Sequence, residues 1–149
     1  METVIGIDPD AKASGVAVYR NGNLLDLRNC TTVELVKIIK HNPPGGILVS
    51  IEDVMANQFV YSRNQQASKS AQSKVAMHIG RCQQVQIEIM QWLDAMGVRY
   101  VLHKPQKGNW AKDKARFEKI TGWKGRSNDD TRSAAYFGFL EANKANVRG

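Results

Sequence analysis

Thr3 to Ile7 form a short apolar run that stops at Asp8, and the segment PDAKAS then breaks it. Val16 to Tyr19 reads as a second strand. Asn21-Gly22-Asn23 predicts a tight hairpin turn into a third strand near Leu24 to Leu27, so three antiparallel strands open the chain. Thr31 or Thr32 can cap a helix whose apolar positions include Val33, Leu35, Val36, Ile38 and Ile39, and HNPPGG ends it. Ile47 to Ile51 is nearly continuously apolar, as a central buried strand should be, and it runs into Glu52.

Asp53 to Ser62 reads as a loop carrying Phe59 and Tyr61. A long helix follows, from about Asn64 to Met96. Val75, Ile79, Cys82, Val85, Ile89, Trp92 or Leu93, and Met96 fall at helical spacing along one face. Its first turns are polar and carry Lys69 and Lys74, which leaves that end free to lie over a ligand. Gly97 terminates it. Val98 to Leu102 is the fifth strand, ended by Lys104-Pro105. A helix from about Ala111 to Ile120 precedes a last helix, capped by Ser127, Asn128 or Asp129 and ending near Asn143. There is no internal repeat and no low-complexity segment. A three-strand meander followed by crossover-linked strands predicts an α/β fold, a mixed five-stranded sheet flanked by helices. Ribonuclease H-like nucleases and actin-like ATPase domains share this order, so order alone does not choose an activity.

Composition narrows the class. The 149 residues suit a single domain spanning 1–149, and 42% hydrophobic against 23% charged residues marks an ordinary globular chain rather than a disordered one. No apolar run is long enough for a membrane span, and METVIGID opens without a signal-type stretch. An intracellular, cytoplasmic protein is expected (host-cell cytoplasm if phage-encoded), with Cys30 and Cys82 as free thiols. The net charge of +7 favours a polyanionic partner. Lys104, Lys107, Lys112, Lys114, Arg116, Lys119, Lys124 and Arg126 face only Asp113 and Glu118 in their stretch, with Trp110, Phe117 and Trp123 among them. This suits a grip on phosphates and bases; a solvated helix face with core aromatics is the equal alternative.

The candidate chemistry lies in acids at strand ends. Asp8 ends the first strand and Glu52 the fourth, where burial of a charge carries a desolvation cost. If these strands are neighbours, their carboxylates converge. Asp129 and Asp130, at the start of the last helix, can bring a third. Such oxygens suit a hard divalent cation, usually Mg²⁺, and two such ions can activate water and stabilise the leaving oxygen of a phosphodiester. Individually, Asp8 before Pro9 can open a turn, Asp129 can be a helix cap, and Glu52 can be an exposed strand end. Together the metal reading is ahead. His41, His78 and His103 show no mutual spacing that suggests zinc, and His78 reads as a surface residue.

The segment IGIDPDAKASGVAVYRNG resembles the opening of RuvC-like Holliday junction resolvases, members of the ribonuclease H-like superfamily. ILVSIEDV is similar to their fourth strand and SNDDTRSAAYFGFL to their last helix, and the compact length suggests a phage-type member. The resemblance implies a divalent-metal-dependent endonuclease that resolves four-way junctions, leaving 5′-phosphate and 3′-hydroxyl ends. It implies Asp8, Glu52 and Asp130 as Mg²⁺ ligands, with Asp129 assisting and Mn²⁺ able to substitute. It also implies a homodimer, because two cuts related by two-fold symmetry are needed; the Val75-to-Met96 stripe is the interface candidate. One departure stands out. The family often carries a second acid one turn after the first in its last motif, and here that position is Ser133. Asp129 can substitute, or Ser133 can bind a metal-held water. PQKGNWAK resembles the stretch where the family places basic residues near the scissile phosphate, making Lys107, Lys112 and Lys114 candidates. Phe59 and Tyr61 sit where the family carries residues that enter the junction, with core packing as their alternative. Rival functions are a same-fold nuclease acting on flaps, forks or RNA, and a junction-binding protein that does not cut. An actin-like ATP-binding domain is disfavoured, because a second half and a second phosphate-binding glycine loop are missing.

Overall fold

A computed structural model of the chain describes residues 2–56 and 68–148, with side chains described through residue 144. Its strands are β1 (Thr3–Asp8), β2 (Ser14–Arg20), β3 (Asn23–Cys30), β4 (Ile47–Glu52) and β5 (Arg99–His103). Its α-helices are α1 (Thr32–Lys40), α2 (Lys69–Met96), α3 (Lys114–Thr121) and α4 (Asp129–Arg148). The sheet order is β3-β2-β1-β4-β5, antiparallel across β3, β2 and β1 and parallel across β1, β4 and β5. This is the mixed sheet that the strand and helix order predicts.

Local chemistry sets the boundaries. Arg20 pairs with Asn23, so Asn21 and Gly22 alone make the hairpin turn, both at positive φ (54° and 79°). β3 runs longer than its apolar stretch, because an edge strand needs only one buried side. A bulge opposite Val18 and Tyr19 leaves Leu25 exposed. Thr31 is the cap of α1, in a reciprocal box with Glu34. Ser68 caps α2, which therefore starts at Lys69 rather than near Asn64, and Gly97 closes it in the left-handed conformation. Asp113 caps α3, which starts three residues later than its apolar pattern suggests.

Two apolar layers sandwich the sheet. On one face Ile5, Ile7, Val49 and Ile51 meet Leu35 and Ile39 of α1 and Ile89 and Leu93 of α2. On the other, Val4, Ala17 and Tyr19 meet Ala134 and Ala135 of α4, with Trp110 and Phe117 closing the edge. Trp110 and Phe117 are fully buried, which assigns these two aromatics of the basic segment to the core rather than to a surface that stacks on bases; Trp123 packs against the same cluster. The buried line of α2 is Cys82, Gln86, Ile89 and Leu93. Cys82, Ile89 and, of the pair Trp92 or Leu93, Leu93 belong to the expected stripe; Val75 is exposed, and Gln86 is a buried member that hydrophobic spacing does not count. No described helix is long and apolar enough to cross a membrane.

Candidate metal centre

Register puts the two strand-end acids side by side. Ile7 pairs with Ile51, so Asp8 and Glu52 are the next residues along two neighbouring parallel strands. Side chains alternate along a strand, so Gly6 and Asp8 share the face of β1 that α4 covers, and Ser50 and Glu52 share the same face of β4. The contacts fix this choice of face: Ser50 Oγ donates to the Phe137 carbonyl at 2.7 Å, and Tyr19 Oη donates to the Ala135 carbonyl at 2.6 Å. The turn after Glu52 is held from α2. Gln86 Oε1 accepts from the Val54 and Met55 amides at 2.8 and 3.2 Å, and its Nε2 donates to Asp53 at 2.9 Å.

Helix α4 supplies the third acid. Asn128 is its cap, its Oδ1 accepting from the Thr131 amide while Thr131 Oγ1 accepts from the Asn128 amide, each at 2.9 Å. Capping by Asn128 frees both following aspartates. Asp129 turns to the Lys112 ammonium and to Arg132 Nη2, the latter at 2.8 Å. Arg132 is itself buried and donates also to the Ala111 carbonyl and Ser127 Oγ. The Lys112 contact is the first cause holding the Asp129 carboxyl below the usual range. Asp130 faces the strand ends, where Gly15, the pairing partner of Asp8, lets the helix backbone close in.

The cluster is electrostatically strained. Burial first, then the charges of Glu52, Asp130 and Asp10, push the Asp8 carboxyl far above the usual carboxylate range. Burial and Asp130 likewise raise Glu52, and burial, Asp10 and Asp129 raise Asp130. The Ser133 hydroxyl is buried beside these carboxyls and partly offsets the rise at Asp8 and Glu52. Three half-buried carboxylates that repel one another are a hard oxygen donor set, and a divalent cation is the partner such a set fits. Asp8 and Glu52 thus stand on adjacent strand ends with Asp130 within electrostatic reach of both, while Asp129 is held by Lys112 and Arg132.

The basic candidates lie on separate elements. Lys69 and Lys74 lie exposed on the first two turns of α2, Lys107 on the loop after β5, and Lys114 at the start of α3. Lys112, paired with Asp129, also acts by its charge on Asp130. Phe59 and Tyr61 lie outside the described residues. Among the histidines, His41 caps the C-terminus of α1 and His103 Nε2 lies 3.3 Å from Glu141 Oε2. His78 does not stand alone on the surface: its Nε2 is 3.6 Å from both Asp10 and Cys82. Asp10 and Gln86 escape sequence reasoning, although Asp10 is only two residues beyond Asp8 in the same motif.

No family model matches the sequence, and no curated protein matches it significantly. Solved structures do. A Thermus thermophilus RuvC in complex with a Holliday junction substrate superposes with a TM-score of 0.65 at 15% identity, covering 99% of this chain and 96% of that one. A second Thermus thermophilus RuvC structure gives 0.59 at 15% identity, covering 97% and 96%. The likeness runs over nearly the whole of both chains, and the chain therefore has the ribonuclease H-like fold of the RuvC structures.

Proposed function

We propose that the chain is a divalent-metal-dependent endonuclease that resolves four-way DNA junctions. One observation carries this reading: the carboxyls of Asp8 and Glu52 end two adjacent parallel strands, with Asp130 of a third element within electrostatic reach, in a fold shared with a junction resolvase. Asp8, Glu52 and Asp130 would hold Mg²⁺, with Mn²⁺ able to substitute; the cation supplies activation of a water and charge neutralisation at the phosphate.

The remaining work falls to the chain's own groups. The Ser133 hydroxyl, buried where the resembled family often carries an acid, would ease the repulsion between the Asp8 and Glu52 carboxylates. Gln86 fixes the backbone behind Glu52, so that carboxylate cannot swing out of line. Asp129 tethers Lys112 at the rim, where an ammonium can meet a phosphate oxygen. Lys69, Lys74, Lys107 and Lys114 extend positive charge outward along the DNA arms. Phe59 and Tyr61, in the segment after Glu52, are proposed to enter the junction centre by stacking. Paired cuts across a two-fold junction call for a homodimer.

The test is hydrolysis by variants that keep the fold. Asp8→Asn and Glu52→Gln should each abolish cutting while junction binding holds or tightens, because a carboxylate near phosphates repels them. Turnover at the parental rate in either variant overturns the assignment. Ser133 motivates the second reading, a protein that binds junctions without cutting; binding with no Mg²⁺- or Mn²⁺-dependent product would favour it.

A further inference from the structure

We propose that Asp10, His78 and Cys82 form a second metal site, built for a borderline-soft cation such as Zn²⁺ and adjoining the hard carboxylate set without sharing a ligand with it. The three candidate ligand atoms form a nearly equilateral triangle. Cys82 Sγ lies 3.7 Å from Asp10 Oδ1 and 3.6 Å from His78 Nε2, and His78 Nε2 lies 3.6 Å from Asp10 Oδ1. Zinc bonds of about 2.3 Å to sulfur and about 2.0–2.1 Å to nitrogen or oxygen, at tetrahedral angles, place their ligand atoms roughly 3.5, 3.6 and 3.3 Å apart. The observed edges therefore need contractions of at most about 0.3 Å to close on an ion.

The supporting structure suits this use. His78 and Cys82 are four residues apart on α2, one helical turn, so both project from the same face. Asp10 comes from the loop after β1, where its own amide donates to Ser14 Oγ at 3.2 Å. Its second oxygen faces the Lys12 amide at 3.5 Å, which leaves Oδ1 for the triangle. Cys82 is buried and His78 is exposed, so the sulfur sits at the closed end while the open side admits an ion and a water as fourth ligand. A thiolate and an imidazole favour zinc over magnesium, which prefers oxygen alone. The alternative is a plain hydrogen-bonded triad in which the thiol donates to Asp10.

Cobalt separates the two without any reference to cleavage. The whole protein, with excess Mg²⁺ to occupy the oxygen site, is titrated with Co²⁺ and read by absorbance. One equivalent should give a tetrahedral visible spectrum and a thiolate-to-cobalt charge-transfer band, both erased by Zn²⁺. Cys82→Ser should lose the charge-transfer band. Asp8→Asn should keep it, and so should Cys30→Ala, which removes the other thiol. His78→Ala, a change at an exposed position, should weaken binding by roughly tenfold or more, since losing even an outer-sphere partner costs about 10–100-fold. Absence of the band in the wild type, or its survival in Cys82→Ser, overturns the proposal.

Discussion

A β-carbon added to Gly6 would lie 2.1 Å from the carbonyl oxygen of Ala134, so β1 and α4 touch backbone to backbone. The obstacle is main chain on both sides, and no rotamer change relieves it. Gly15 makes the same kind of approach to the Asp130 carbonyl, at 2.2 Å. These two glycines set how deeply α4 seats, and hence whether Asp130 and Ser133 reach Asp8.

Gly6→Ala should push α4 off the sheet. We expect a loss of about 1–3 kcal/mol or more in urea unfolding, the range for overpacking, together with loss of junction cleavage in the fraction that folds. Gly80 on α2 has open space around its Cα, and Gly80→Ala should stabilise by about 0.5–1 kcal/mol. Equal stability of the Gly6 and Gly80 variants would contradict this packing.

The buried acid makes a pH prediction. Asp8 ionises at an ordinary value of 3.8 when unfolded and is pushed up to about 8 in the metal-free fold. Between these values the folded chain holds a proton that the unfolded chain has released, so stability falls as pH rises across that window. Asp8→Asn removes the effect. In EDTA, its unfolding free energy should gain on the parent's from about pH 4 to about pH 8. Parallel curves for the two proteins would show that Asp8 is not strained.

Asp129 and Asp130 should separate in function. Asp130→Asn is expected to cut single-turnover cleavage by about a hundredfold or more, because metal-derived charge stabilisation is worth several kcal/mol. Asp129→Asn leaves the Asn128 cap intact but releases Lys112 and Arg132, so a partial loss is expected. Full activity in Asp130→Asn would transfer the ligand role elsewhere.

The basic rim is read by salt. Lys107→Ala, Lys112→Ala and Lys114→Ala should each weaken junction binding. A lysine that neutralises a phosphate should, once removed, flatten the log–log salt slope by about 0.9. Lys112→Ala alone should also slow cleavage beyond its effect on binding, since Lys112 alone of the three bears on Asp130. Unchanged slopes in all three variants would place the DNA path on another surface.

What can be read from sequence follows from range. Strands β1 and β4, the Asn21-Gly22 turn and the Gly97 stop depend on neighbouring residues, so local pattern exposes them, and the acids at Asp8 and Glu52 stand out by interrupting apolar runs. The aromatics of the basic segment are ambiguous in sequence, because Trp110 and Phe117 suit a core as well as a base-stacking surface. Hydrophobic spacing finds Cys82, Ile89 and Leu93 on the buried face of α2 but misses Gln86, which is buried for its hydrogen bonds rather than its hydrophobicity. The Asp10–Cys82 contact joins residues 72 positions apart, and spacing rules for metal ligands do not reach that far.

The most direct measurement is strand-specific cleavage of a synthetic four-way junction under single-turnover conditions, with linear duplex, flap and RNA–DNA hybrid of matched sequence alongside. Wild-type protein with Mg²⁺ should give paired, symmetry-related nicks in the junction, with 5′-phosphate and 3′-hydroxyl ends, and none in EDTA or in the Asp8→Asn variant. Tight junction binding without cutting in Mg²⁺ or Mn²⁺, or equal cutting of the linear duplex, would contradict the account.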